Sequence, residues 1–437
     1  MSAQTTPTVL KRELGLWGAI MMGMGSIVGT GVFVSIGIAA GIAGPAIILA
    51  VVVAALVAAC NGLSSAQLAA SHAVSGGTYE YGYRYLTPWL GFTAGWMFLL
   101  AKSASAATAA LGFAGYLLNA FGGNGQTLLV TIALVAVVVL TGVVLSGIRR
   151  SNFTNIVIVS VTLGSLLFFV LAGLPEVFGT GGTNFTPFFQ SPAENGGNPW
   201  QALLHASALM FVAYTGYGRI ATMGEEVHEP RRIIPRAIII TMGLTMLLYT
   251  AVAVVGIGAV GATTLSEAAT QQAAPLVAAS LSFAIPGSAQ ILAIGAITAM
   301  LGVLLNLLLG LSRVLLAMGR RGDMPGAVAR LNVAGTTPTV AVIVVGVAIA
   351  GLALIGNVRT TWSFSAFTVL IYYALTNLAA LRLPPEERLY PRWIAWTGLA
   401  ACLFLAFWVD WQIWLVGLGL IIVGLLWHLA AQRLARG

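Results

Sequence analysis

Apolar residues run along this chain in long unbroken stretches, separated by short polar segments. The runs at 46–59, 128–145 and 413–429 contain no Asp, Glu, Lys or Arg. A membrane-spanning helix needs about 20 mainly apolar residues, whereas a barrel strand needs about 10 with alternating character. Over such lengths only a helix satisfies its own backbone inside hydrocarbon. Windows of about 19 residues place spans near 14–40, 44–71, 88–121, 126–146 and 152–174. Further spans fall near 200–227, 233–260, 286–319, 338–356 and 361–382, and a last pair near 391–409 and 411–431. The pattern therefore predicts an all-α integral membrane protein with twelve transmembrane helices. Residues 1–13 form a polar N-terminal tail. Residues 175–199 form an outer loop rich in Gly, Asn, Pro and Thr, and 261–285 a second one with a short helical pattern after Ala274-Pro275.

The basic residues support this plan. With the N-terminus inside, only Arg359 falls on the outer side and Lys102 and Arg219 lie within spans; the other seventeen of the twenty Lys and Arg are cytoplasmic. A missed or extra span would scramble that alternation. The expected location is the cell (inner or plasma) membrane, with both termini cytoplasmic.

Composition narrows the class further. Hydrophobic residues make up 59% and charged residues 7%, with a mean hydropathy of +0.95; a soluble domain has roughly 25% charged residues. The high pI does not point to nucleic acid, because the charges sit in short loops and form no basic patch. Cys60 and Cys402 lie in apolar runs, and His72, His205, His228 and His428 are far apart, so no disulfide, metal or cofactor is expected. The tail runs directly into a long, glycine-broken span, which argues against a cleavable signal.

Candidate chemistry lies in two interrupted spans. Span one contains Gly23-Met24-Gly25-Ser26-Ile27-Val28-Gly29-Thr30-Gly31, and span six contains Phe211-Val212-Ala213-Tyr214-Thr215-Gly216-Tyr217-Gly218. Interrupted helices at matching positions of two halves point to a transporter site. Unwinding exposes N–H groups that suit a carboxylate and carbonyls that suit an ammonium. Glycine permits the close approach such backbone binding needs. Small residues also serve ordinary helix packing, and Gly91, Gly95 and Gly112 are read that way.

These segments resemble the amino acid–polyamine–organocation (APC) superfamily of permeases. The likeness is carried by Gly25-Ser26-Ile27-Val28-Gly29-Thr30-Gly31-Val32-Phe33, by Ser75-Gly76-Gly77-Thr78-Tyr79-Glu80-Tyr81, and by Gly310-Leu311-Ser312-Arg313 with Arg320-Arg321-Gly322-Asp323-Met324-Pro325. Its most specific part is Glu225-Glu226-Val227-His228-Glu229-Pro230-Arg231-Arg232-Ile233-Ile234-Pro235-Arg236. The resemblance implies the LeuT-type fold, with five spans in 14–174, five inverted spans in 200–382 and two more in 383–437. It also implies an amino acid bound at Ser26, Ile27, Gly29, Thr30, Gly31, Phe211, Val212, Ala213, Tyr214 and Gly216. The carboxylate would meet Gly29, Thr30 and Gly31, and the ammonium the carbonyls of Ile27, Phe211, Val212 and Tyr214. Phe211 and Tyr214 are candidate gates over the substrate, and Glu225, Glu226 and Arg313 a cytoplasmic gate. The family's usual Asn before the proline is Glu229 here.

Coupling departs from the resemblance. Thr162 stands where proton-coupled relatives carry a lysine in span five, and Leu301 and Gly302 stand where span eight of sodium-coupled members has hydroxyls. Lys102, about 14 residues or roughly 21 Å into span three, is too deep to reach the surface and is expected to line a pathway. It is the candidate coupling group, bracing span three against the unwound part of span one. Arg219 is a fixed charge, expected to pair with Glu226. The function implied is secondary active transport of small or medium neutral L-amino acids by alternating access, as proton symport or exchange. The partners are the amino acid, protons and membrane lipid. A membrane-embedded amino acid sensor and a polytopic membrane transferase are the rivals. A transferase would gather acid, base or metal groups at one interface, whereas Glu176, Glu194, Glu267 and Asp410 are widely separated.

Overall fold

The apolar runs become helices because nothing in them offers the backbone a better partner than itself. The computed structural model describes residues 14–72, 76–123, 125–147, 152–189, 198–221, 227–332 and 335–434. In chain order the helices begin with α1 (Leu16–Ile27), α2 (Ile36–Ala43), α3 (Ile47–Ser71) and α4 (Thr78–Tyr85). They continue with α5 (Pro88–Ala120), α6 (Gln126–Leu145), α7 (Asn152–Gly179) and α8 (Pro199–Tyr214). Next come α9 (Gly218–Ala221), α10 (Pro230–Gln271), α11 (Pro275–Ser280) and α12 (Ser288–Arg321). The last are α13 (Thr339–Ala353), α14 (Val358–Leu381), α15 (Arg392–Ala406) and α16 (Trp411–Leu434). Among the described residues there is no strand, only one isolated bridge between Leu14 and Val227. Among the described residues, eight helical stretches are long and apolar enough to cross a membrane, with Gly31–Ser71 counted as one.

Two ends differ from the predicted ones. Helix α10 does not stop at its outer end but bends at Gly261, whose φ of 80° only glycine adopts easily, and then runs on to Gln271. Helix α7 continues through Pro175 to Gly179, although the proline offers no N–H to the turn before it. The short helix expected after Pro275 is α11.

The main buried core draws on α1, α2, α3, α5, α8, α10, α12 and α14 among others. Helix α14 packs along α5 through paired hydroxyls, Ser105 to Ser365 at 2.7 Å and Thr108 to Thr361 at 2.7 Å. In an apolar surround these polar pairs hold the register of the two helices. A second polar knot ties α4, the end of α12 and α16 together. The buried Asp323 carboxylate accepts from the Tyr79 hydroxyl at 2.6 Å and the Tyr83 hydroxyl at 2.6 Å. His428 Nδ1 lies 3.2 Å from it, and Trp427 Nε1 donates to the Asp323 carbonyl at 2.9 Å. Burial first, then the bond to Asp323, pushes both tyrosine hydroxyls well above their ordinary range, so they remain donors.

Candidate functional site

The first break follows from the glycines of span one. Helix α1 ends at Ile27, Val28 is extended (φ −78°, ψ 106°), and the chain re-enters helix through a π-helical turn at Gly31–Ser35 that leads into α2. The N–H groups of Val32 and Phe33 return to the Gly29 carbonyl at 3.1 and 3.2 Å. The amides of Thr30 and Gly31 stand ahead of those bonds, at the start of the second half-helix, where backbone donors lack an intrahelical acceptor. The second break lies after Tyr214, where α8 tightens into a 3-10 turn at Thr215–Tyr217 before α9.

The two broken helices cross at their glycines. A Cβ at Gly31 would lie 2.7 Å from the Ala213 Cα. A Cβ at Gly216 would overlap the Ser26 carbonyl and lie 2.6 Å from the Ile27 nitrogen. Backbone cannot yield, so glycine is required at both positions. At Gly29 the nearest atom is the Val303 Cγ2, 2.6 Å away, a side-chain end that can turn.

A cavity of about 390 Å³ opens at the crossing, lined in part by Ser26, Ile27, Thr30, Gly31, Val212, Ala213 and Gly216. It shares Ser26, Lys102, Thr215, Gly216, Val303 and Leu307 with a larger cavity of about 1060 Å³. The larger one reaches Gly76, Gly77, Gly310 and Arg313. Thr30 is 3% exposed, and among the described residues its hydroxyl has no hydrogen-bond partner. An unpartnered hydroxyl at a cavity wall is costly unless something entering the cavity meets it.

Most of the sequence-predicted residues meet here, with differences in detail. The Ile27 carbonyl already accepts from the Tyr249 hydroxyl at 2.9 Å and keeps a second lone pair; the Val212 carbonyl accepts both the Thr215 N–H and, at 2.8 Å, Thr215 Oγ1, so its two lone pairs are in use. Phe211 and Tyr214 line neither cavity. The Phe211 ring meets Tyr373 edge-on at 5.7 Å, and the Tyr214 hydroxyl donates to the Val51 carbonyl at 3.3 Å. Both rings are buried and pack against neighbouring helices in this structure. Lys102 lies in the wall, but its ammonium donates to Thr215 Oγ1 in the second break at 2.7 Å, so it braces α5 against span six, where span one was expected. Arg219 and Arg313 line the larger cavity, while Glu225 and Glu226 lie outside the described residues. The Thr162 hydroxyl turns back onto its own helix, donating to the Ile158 carbonyl at 2.8 Å.

Sequence reasoning missed Ser105, Val303, Leu307 and Trp362 in the smaller cavity and Phe98, Tyr372 and Tyr373 in the larger. They sit on α5, α12 and α14, in apolar runs that carry no glycine interruption to flag them. The segment before α10 also takes a position of note. The His228 N–H donates to the Leu14 carbonyl at 3.0 Å, joining the chain ahead of α1 to the chain ahead of α10. Glu229 has φ 41° and ψ 61°, a left-handed conformation that asparagine tolerates better than glutamate, which gives a physical reason for the residue usual at that place.

Residues 18–434 match the amino acid permease family. An uncharacterised transporter of Mycobacterium tuberculosis is 38% identical over 405 residues, covering 92% of this chain and 87% of that protein. The branched-chain amino acid permease BcaP of Bacillus subtilis is 28% identical over 76% of this chain and 72% of its own length. The mitochondrial cationic amino acid transporter 3 of Arabidopsis thaliana is 28% identical over 84% of this chain and 62% of its own length. Apolar helices, two broken helices crossing at a cavity and a match along nearly the whole sequence agree: the chain belongs to the amino acid permease family, a family of multi-pass membrane transporters within the APC superfamily.

Proposed function

We propose that this protein is a secondary active transporter of small or medium neutral L-amino acids, working by alternating access with proton symport or exchange. The frame is the LeuT-type arrangement of twelve spans, repeated between 14–174 and 200–382 and followed by two spans, in the cell membrane with both termini cytoplasmic. The observation that carries this reading is the crossing of the two broken helices, closed by Gly31 and Gly216 around a cavity with a Thr30 hydroxyl that has no partner among the described residues. The substrate carboxylate takes the amides of Thr30 and Gly31 and the Thr30 hydroxyl, where the half-helix dipole favours an anion. Its ammonium takes the free lone pair of the Ile27 carbonyl. The larger cavity is the path to the cytoplasm.

Lys102 is the coupling group in this scheme. Its ammonium ties α5 to the second break through Thr215, and loss of the proton frees the bundle to move against the scaffold. Uptake of labelled L-alanine into proteoliposomes, with and without an imposed pH gradient, tests the proposal. Wild type should accumulate alanine with the gradient, and Lys102→Met should lose the gradient dependence. Binding of alanine without any uptake or exchange would instead identify a sensor. Unchanged pH-driven accumulation in Lys102→Met would remove the lysine from coupling.

A further inference from the structure

We infer that Lys102 sets the charge selectivity of the cavity, its ammonium barring amino acids that carry a cationic side chain. The inference rests on amino acids binding where α1 and α8 cross, and adds the residue that sorts them by charge. Lys102 is 8% exposed and lines both cavities. Its ammonium donates to Thr215 Oγ1 at 2.7 Å. That hydroxyl gives its own proton to the Val212 carbonyl at 2.8 Å, so toward the lysine it acts as acceptor only. The hydroxyl and the last carbonyls of α8 form the negative end of a helix dipole, which favours a cation. The protein's own ammonium thus holds the place that a cationic group of a ligand would seek.

The surroundings give a second cation no compensation. Among the described residues lining the two cavities there is no Asp or Glu, and the larger cavity adds Arg313. A lysine or arginine side chain entering this space beside Lys102 meets a like charge without a counter-charge among the described lining residues, and like-charge juxtaposition is a strong device for rejecting a wrong partner. A neutral side chain meets Val303, Leu307 and Trp362 instead. The Thr30 hydroxyl, buried and without a partner among the described residues, remains to receive the carboxylate that every amino acid shares.

The test is equilibrium binding of labelled L-alanine to the purified full-length protein, competed by L-lysine, L-arginine, L-serine and L-leucine. The variants are Lys102→Met, Lys102→Gln and Lys102→Arg, and the readout is the ratio of lysine to alanine affinity, which needs no transport. In wild type and Lys102→Arg, serine and leucine should compete and lysine and arginine should not. In Lys102→Met or Lys102→Gln the ratio should rise by at least about tenfold in favour of lysine, whatever the alanine affinity itself becomes. A ratio that stays at the wild-type value in both neutral variants would overturn the inference. So would wild type binding lysine as well as alanine, or both neutral variants losing every ligand while Lys102→Arg keeps them. Wild-type protein that binds no amino acid in the panel would refute the site itself, a separate outcome from a site with unaltered selectivity.

Discussion

At the scale of single residues, the site depends on where a side chain would meet backbone and where it would meet a movable neighbour. Gly31 faces the Ala213 backbone and Gly216 faces the Ser26 and Ile27 backbone, whereas Gly29 faces only the tip of Val303. Gly31→Ala and Gly216→Ala should therefore each cost about 1–3 kcal/mol of stability as overpacked contacts, and Gly29→Ala clearly less. Thermal unfolding in detergent measures the order, and a Gly29→Ala loss equal to the other two would contradict the geometry. Thr30→Val exchanges a buried hydroxyl, unpartnered among the described residues, for a methyl of similar size. It should leave thermal stability unchanged or slightly raised while weakening alanine binding about tenfold, the value of one hydrogen bond to a charged group. The glycines of this site were legible in the sequence, because a cluster in a helix that must span lipid has few purposes other than a break. The roles of Phe211 and Tyr214 were not. Aromatic residues near a break point in every direction around the helix, and only packing against Tyr373 and Val51 decides that these two face away from the cavity.

At the scale of elements, the same contrast holds between local pattern and tertiary pairing. Each predicted apolar run carries helix, because the need to satisfy backbone in hydrocarbon acts locally. The bend at Gly261 and the passage of α7 through Pro175 were not legible, since continuation beyond such residues depends on what the far side packs against. The pairing of α5 with α14 through Ser105, Thr108, Thr361 and Ser365 was equally hidden, and it brings Trp362 to the cavity. The knot at Asp323 joins three elements distant in sequence. Its carboxylate holds two tyrosine hydroxyls and faces His428. Asp323→Asn should lower stability by roughly 2–4 kcal/mol, because a charged acceptor serving several buried donors becomes a neutral amide. The loss should appear as a lower unfolding temperature in detergent with alanine affinity nearly unchanged, since Asp323 lines neither cavity. A large loss of affinity at unaltered stability would mean that the knot reaches the binding site.

At the scale of the whole molecule, the larger cavity gives the site an exit toward Gly76, Gly310 and Arg313, while Trp362 is bonded to the Leu209 carbonyl at 3.0 Å beside the smaller one. With the proposed orientation this is a cytoplasm-facing state. In a variant lacking Cys60 and Cys402, a cysteine replacing Val314, which lines the larger cavity, should react with a membrane-impermeant reagent from the cytoplasmic side only, and alanine should slow the reaction. Reaction from the outer side alone would reverse the orientation. The binding, selectivity and labelling consequences depend on an amino acid sitting at the crossing of the two broken helices. The most direct measurement is saturation binding of labelled L-alanine to purified wild type, Gly31→Leu and Gly216→Val, each first shown to be inserted and monodisperse. Wild type should bind one alanine per chain and both variants none, because each new side chain would meet the backbone of the other broken helix and force open the crossing that forms the site. Wild-type affinity in both variants would place the substrate elsewhere and contradict the account.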